Sequence, residues 1–326
     1  MFNVIHLSKW SWLCGVFAGL MTCGAHAQTW PTRPLSLVVP FTAGGASDIG
    51  GRMLATELGK ALGQSVVVDN VAGAGGAIGM QKLLRAAPDG YTLVYGGMSE
   101  SMLVPMINRA VHYRPEDPLP VAMVGSVPVV LATRADFPAR NMDELLELLR
   151  KKPGQYSYGS AGVGSFAHVM TEAIKDRTGT FVVHIPYRGG SQIVADLVSG
   201  QIDVAVTTVT NVAPMLSSGR LKILGVSSRE RVPLIKDVPT FSETPSLKGL
   251  ELMVWAVLFA PPGTPDAVVQ KLNSVVNQAL AQPAMKALTA KLGAEVPAAL
   301  SPGQTKEFLA AQRKLYAQAI GRIQPE

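Results

Sequence analysis

Residues 35–48 read Leu35-Ser36-Leu37-Val38-Val39-Pro40-Phe41-Thr42-Ala43-Gly44-Gly45-Ala46-Ser47-Asp48, and this stretch decides the fold. Leu35–Val39 is a short aliphatic run of the kind that forms a buried strand, and Pro40, lacking an N–H, ends it. Thr42-Ala43-Gly44-Gly45 is a glycine-rich turn. From Ala46 to Leu62, the residues Ile49, Met53, Leu54, Leu58 and Leu62 fall at helical spacing. Strand, glycine turn and helix in succession open a βαβ unit of a mainly parallel sheet.

The same rhythm continues outward. Val66-Val67-Val68 is a second strand, and Gly73-Ala74-Gly75-Gly76 leads into a helix through Met80, Leu83 and Leu84. Tyr91–Tyr95 is a third strand. Val121 to Thr133 reads as two strand-like runs separated near Gly125-Ser126, the first candidate crossover between lobes. Met142–Lys151, Phe166–Thr178 and Ser191–Ser199 read as helices. Strands are expected at Tyr156–Tyr158, Phe181–Ile185, Asp203–Val206 and Leu221–Val226, with a return crossover within Pro239–Trp255. Three further helices, from Pro265, Pro283 and Pro302, each open near a proline, which suits a first helical turn. The layout predicts lobe 1 from 28–128 with 250–326, lobe 2 from 129–249, and a cleft between them that hinges shut.

The 326 residues carry a net charge of +6, with only two cysteines, Cys14 and Cys23. Lys9, the apolar stretch Trp10–Met21 and Ala25-His26-Ala27 form a secretory signal, with residues 1–27 removed by cleavage after Ala27. The apolar stretch falls short of the roughly 18 residues a spanning helix needs. Leu20-Met21-Thr22-Cys23 loosely resembles a lipoprotein signal, with Thr22 larger than such a site favours, so lipid anchoring at Cys23 stays open. Cleavage after Ala27 removes both cysteines, excluding disulfides and thiolate metal sites. Lys and Arg are spread along the chain without a basic stripe, which argues against nucleic acid. The positive balance either steers anions inward or serves solubility.

Three glycine loops each follow a strand and precede a helix: Gly44-Gly45, Gly73–Gly76 and Gly162–Ser165. Helix starts present unpaired N–H groups and the positive end of the macrodipole, which suits an anion. In parallel α/β sheets such loops sit where ligands bind. Gly162-Val163-Gly164-Ser165-Phe166-Ala167 fits the dinucleotide loop pattern, but the next strand carries no acid for a ribose. No phosphate-binding P-loop and no G-x-S-x-G occurs. Ser165 and His168 share a helix face, as a catalytic pair or as a capping serine beside a polar residue facing the cleft. The histidines beyond the signal, His112, His168 and His184, lie in separate segments without metal-ligand spacing. Asp48 either touches ligand, for instance an amino group, or favours its helix N-terminus by charge.

Pro40-Phe41-Thr42-Ala43-Gly44-Gly45-Ala46-Ser47-Asp48 resembles the P-F-x-P-G-G-x-x-D signature of the tripartite tricarboxylate transporter receptors, the Bug family of periplasmic solute-binding proteins. Collinear matches follow at Val68-Asp69-Asn70 with Gly73–Gly76, Pro88–Leu93, Tyr158–Gly162 with Gly164-Ser165 and His168, Pro186–Gly190, Gly200–Asp203, Val238-Pro239-Thr240 with Glu243, and Ala260–Pro265. The resemblance implies a two-lobed, type II-like periplasmic binding fold without catalysis or cofactor. It implies carboxylates held between the lobes by backbone amides and hydroxyls. Phe41, Ala43, Gly44, Gly45 and Asp48 would then line one wall, and Ser160, Gly162, Gly164, Ser165 and His168 the other. Gly97, Ser99, Tyr187 and Thr207 are further candidates. Ala43 replaces the signature proline, so the first loop is less rigidly preset. Glu100 is out of place beside a site for anions; it faces an amine on the ligand or points away.

The expected function is capture of a small organic acid or amino acid and its delivery, through transient contact, to a membrane permease, by a monomer working in the periplasm. A periplasmic ligand sensor, an exported serine hydrolase acting through Ser165, and an adhesion module with a vestigial cleft are the alternatives.

Overall fold

The structure is a computed structural model that describes residues 30–320. The signal segment, its cleavage site and Cys23 lie outside the described residues. Contacts divide the chain into Met1–Thr32 and Arg33–Glu326, and the fold is that of the second unit. Among the described residues no helix is long and apolar enough to cross a membrane.

Strand β1 (Leu35–Val39) pairs in parallel with β2 (Val66–Asn70) and β3 (Thr92–Gly97). Helix α1 (Ala46–Leu62) joins the first two, and α2 (Ala77–Leu84) leads to the third. Gly50 and Gly51 sit inside α1, where glycine costs about 1 kcal/mol relative to alanine. Close approach to the sheet explains them: a Cβ at Gly50 would fall 2.2 Å from the Tyr95 hydroxyl, and one at Gly51 2.6 Å from Val39 Cγ2.

After β3 the chain makes a π-helical turn at Ser99–Leu103 and the short α3 (Val104–Ile107), neither evident in the sequence. Strand β4 (Leu119–Arg134) then runs unbroken for 16 residues. The break expected near Gly125-Ser126 is absent. Register shifts at Pro120/Ala122 and Met123/Gly125 bend the strand without ending it.

The second half of the chain adds α4 (Met142–Lys151), β5 (Ser157–Ser160), α5 (Phe166–Thr178), β6 (Val183–Pro186) and α6 (Gly190–Ser199). Next come β7 (Val204–Thr208), the short α7 (Val209–Val212) and β8 (Leu221–Val226). Asn141 caps α4 by accepting from the Glu144 N–H at 2.9 Å, and Met142, Leu145, Leu146 and Leu149 bury its inner face. Strand β9 (Met253–Ala260) follows, overlapping the end of the Pro239–Trp255 stretch. Helices α8 (Asp266–Ala281), α9 (Pro283–Lys291) and α10 (Pro302–Ile320) follow.

Sheet pairing is mixed. β1–β3 and β5–β7 are tied by parallel pairs, while β4 and β9 insert antiparallel between them, in the order β2-β1-β3-β9-β4-β7-β5-β6 with β8 on β4. β4 pairs with β9 from Leu119 to Pro128 and with β7 and β8 from Val129 onward. Two bodies of sheet thus share one long strand, the architecture of a two-lobed binding fold.

Candidate functional site

Between the two bodies lies a cavity of ≈ 1430 Å³, counted out to its solvent mouth. Three helices of ordinary length begin on it. Gly45, Ala46 and Ser47 present the start of α1, Ser165, Phe166 and Ala167 the start of α5, and Gly190 the start of α6. First-turn amides have no intrahelical carbonyl to bond, so donors converge here from both sides. Side chains crossing the cleft occupy the first of them. Asn211 Oδ1 accepts from the Ala46 N–H at 2.7 Å, and Ser99 Oγ accepts from the Phe166 N–H at 2.9 Å. Thr42 and Ser191 hydroxyls lie 3.1 Å apart, and Ser191 Oγ donates to the Ala43 carbonyl at 3.1 Å. The lobes are in the closed arrangement.

Among the described residues the lining carries no lysine or arginine. Its acids are Glu57, Glu100 and Glu295, and the body of the cavity is apolar, with Met53, Leu54, Phe166, Ile193, Leu280 and Met285 among its walls. Four residues that line this cavity each bury a side-chain atom without a hydrogen-bond partner: Glu100 Oε2, Ser165 Oγ, Thr208 Oγ1 and Trp255 Nε1. Buried polar groups are normally paired, because leaving one dry costs about 1–3 kcal/mol. A ligand that bonds them recovers that cost.

Of the residues expected at the site, Phe41, Gly45, Gly97, Ser99, Ser165 and Thr207 line the cavity. The others stand behind it. Asp48 is buried, with Oδ2 accepting from the Gly44 N–H at 2.9 Å and from Arg52 Nε at 3.0 Å, and Oδ1 accepting from Asn70 Nδ2 at 3.0 Å. Asn70 Nδ2 also donates to the Phe41 carbonyl at 3.0 Å. Burial pushes the Asp48 carboxyl up, but the bonds from Arg52, Gly44 and Asn70 outweigh it and hold it below its ordinary value. Asp48 therefore fixes the 41–45 loop as an ionised carboxylate. Ala43 and Gly44 belong to that loop.

Across the cleft, Ser160 Oγ accepts from the Gly162 N–H at 3.1 Å and meets His184 Nε2 at 2.6 Å. His168 Nδ1 accepts from the Gly164 N–H at 3.3 Å. These bonds shape the 160–165 loop from behind. Gly162 has φ +114°, and a Cβ there would approach the Gly75 nitrogen of the other lobe to 3.1 Å, so only glycine lets the two loops meet. Gly164 has φ +79° and faces Val104. The Tyr187 hydroxyl donates to Asp196 at 2.8 Å, away from the cavity. Ser165 stands at the N-cap of α5 but makes no side-chain cap bond, and its Oγ is not bonded to His168.

Asn211, Ser191 and Trp255 were not anticipated. The first two follow strands and loops without any local signature, and Trp255 sits in an apolar run that reads as core.

A closed, two-lobed α/β clamp with helix starts converging on one cavity is the architecture of a solute-binding receptor. Residues 51–324 match the tripartite tricarboxylate transporter family receptor, and the chain belongs to that family. The structure of periplasmic binding protein BugD is 34% identical, covering 90% of this chain and 98% of its own, with a TM-score of 0.85. MatC from Rhodopseudomonas palustris with bound malate is 31% identical over 89% of this chain and 100% of its own, TM-score 0.86. Rpa4515 of R. palustris with adipate is 30% identical over 90% of this chain and 97% of its own, TM-score 0.86.

Proposed function

We propose that this chain captures a small organic acid between its lobes, without chemical change, and hands it to a membrane transporter of the tripartite tricarboxylate type. The observation that carries the reading is one cavity that meets the starts of α1, α5 and α6 and is lined by Glu100, Ser165, Thr208 and Trp255, each with a buried polar atom lacking a partner. A carboxylate has the acceptor oxygens that Ser165, Thr208 and Trp255 as donors lack, and with no lysine or arginine among the described lining residues its charge would be met by amides and helix dipoles. The malate and adipate held by related structures are acids of this kind.

On this reading the cleft contacts are Glu100, Thr208 and Trp255 together with Phe41, Gly45, Gly97, Ser99, Ser165 and Thr207, and Ala43, Gly44, Asp48, Ser160, Gly162, Gly164, His168 and Tyr187 position them. Lobe 1 comprises 28–128 with 250–326 and lobe 2 comprises 129–249. The change of β4 partners at Pro128/Val129 supports the first boundary. Export to the periplasm after cleavage at Ala27 and action as a monomer complete the proposal.

Thermal unfolding against malate, adipate, benzoate and their amides tests it. An acid at 100 times its Kd adds about 2.7 kcal/mol of stability. A rise in Tm with at least one acid and not with its amide is expected; no response to any acid overturns the reading.

A further inference from the structure

Glu100 stands in the π-helical turn that follows β3 and is 1% exposed. Glu100 lines the ligand cavity; its Oε1 accepts a hydrogen bond from the Gly97 N–H, while its buried Oε2 has no partner. We propose that Glu100 is a specificity-determining residue of the cleft, meeting the ligand as a neutral carboxylic acid whose Oε2–H donates to an acceptor oxygen of the bound acid. The proposal rests on the receptor reading above and adds a residue, a protonation state and a polarity to it.

Among the described residues no lysine or arginine lines the cavity beside it. β3 presents the Tyr95 phenol, and the segment after α3 presents Tyr113, whose hydroxyl donates to the Glu100 carbonyl. Both phenols are held protonated, by burial first and by Glu100 second. The 74–76 turn brings Gly76 against the Glu100 Cβ. On α2, Lys82 is engaged by Asp69; on α5, Lys175 is paired with Glu172 at 2.7 Å, and His168 accepts from Gly164. An ionised Glu100 would be a buried charge with one N–H for support, facing a cavity built for anions. Burial pushes its carboxyl up to about 8, with the Gly97 bond only partly opposing this. The neutral acid has one donor to offer, and Oε2 is the free oxygen that would carry it. A bound carboxylate then favours the protonated form further, so binding takes up a proton where the free protein has lost it.

The test is calorimetric titration of the wild-type chain and Glu100→Gln with malate, adipate and benzoate, from pH 7 to pH 9, in buffers of different ionisation enthalpy. For each acid that binds, wild-type affinity should fall about tenfold by pH 9, with close to one proton taken up per ligand there. Glu100→Gln, whose amide has no proton to lose, should show neither the slope nor the uptake. Binding to wild type that is flat over this range overturns the proposal and leaves the receptor reading standing. Affinity that rises with pH, as for an ammonium group on an ionised Glu100, also overturns it alone. Binding of none of the acids overturns both.

Discussion

Asn211, just beyond β7 in one lobe, places its Oδ1 2.7 Å from the N–H of Ala46, the first helical residue of α1 in the other. Ser99 does the reverse, its Oγ meeting the Phe166 N–H of α5 at 2.9 Å. Each lobe thus caps the other's helix. Both bonds cross the cleft and hold the neighbouring first-turn amides at the cavity.

Removing a latch should weaken ligand binding through closure. A hydrogen bond of this kind is worth about 1 kcal/mol, so Asn211→Ala should raise Kd by about fivefold for any acid that binds. Calorimetry checks this, and an unchanged Kd would show that closure does not depend on the bond.

Ser165, Thr208 and Trp255 separate binding from stability. Their polar atoms are unpaired without a ligand, so Ser165→Ala and Thr208→Val should leave the Tm of the free protein unchanged or slightly higher. Each should cost about 1–2 kcal/mol of binding, read as a smaller ligand-induced shift. A large loss of stability in the free protein would mean that these groups have partners within the fold.

Asp48 should behave in the opposite way. Asp48→Asn weakens the bonds from Gly44, Arg52 and Asn70 and should lower both stability and affinity at pH 7. Because the folded carboxyl lies below its ordinary value, its stabilising contribution is present above that value and lost as pH falls through the folded one. The difference in Tm between wild type and Asp48→Asn should therefore shrink in acid. A difference constant down to strongly acid pH would contradict an ionised Asp48.

Glu100 has the other sign. The folded protein keeps a proton that the unfolded chain releases near pH 4.5, up to about pH 8. Wild-type stability should decline across that window relative to Glu100→Gln, and the difference should level off above it. Denaturant unfolding at pH 5, 6.5, 8 and 9 reads this; parallel pH profiles would count against a buried neutral carboxyl.

Much of this was legible in the chain. α1 begins at Ala46 and ends at Leu62 as its apolar spacing requires, and α4 and β8 also keep their expected limits. Short glycine turns between strongly patterned segments made this possible. β4 was harder, because Gly125 and Ser126 read as a break, whereas bulges absorb the bend and the strand continues. The 99–107 turns were hidden for another reason. They are held by Glu100, Ser101 and Tyr113 through specific side-chain bonds rather than by periodicity. At the site, two of the three glycine loops lead to helix starts on the cavity, those of α1 and α5, whereas the 73–76 loop leads to α2, which does not line it, and the start of α6 was missed. Local sequence did not show that Asn211 and Ser191 reach across the cleft or that Trp255 lines the cavity. Those contacts depend on where two distant lobes meet.

The most direct measurement is a crystal structure of the chain with the acid that raises its Tm most. The account predicts closed lobes around the acid, its carboxylate within hydrogen-bond distance of first-turn amides of α1 or α5 and of Ser165 Oγ, and no lysine or arginine touching it. An acid bound outside the interlobe cavity, or held there by a cationic side chain, would contradict it.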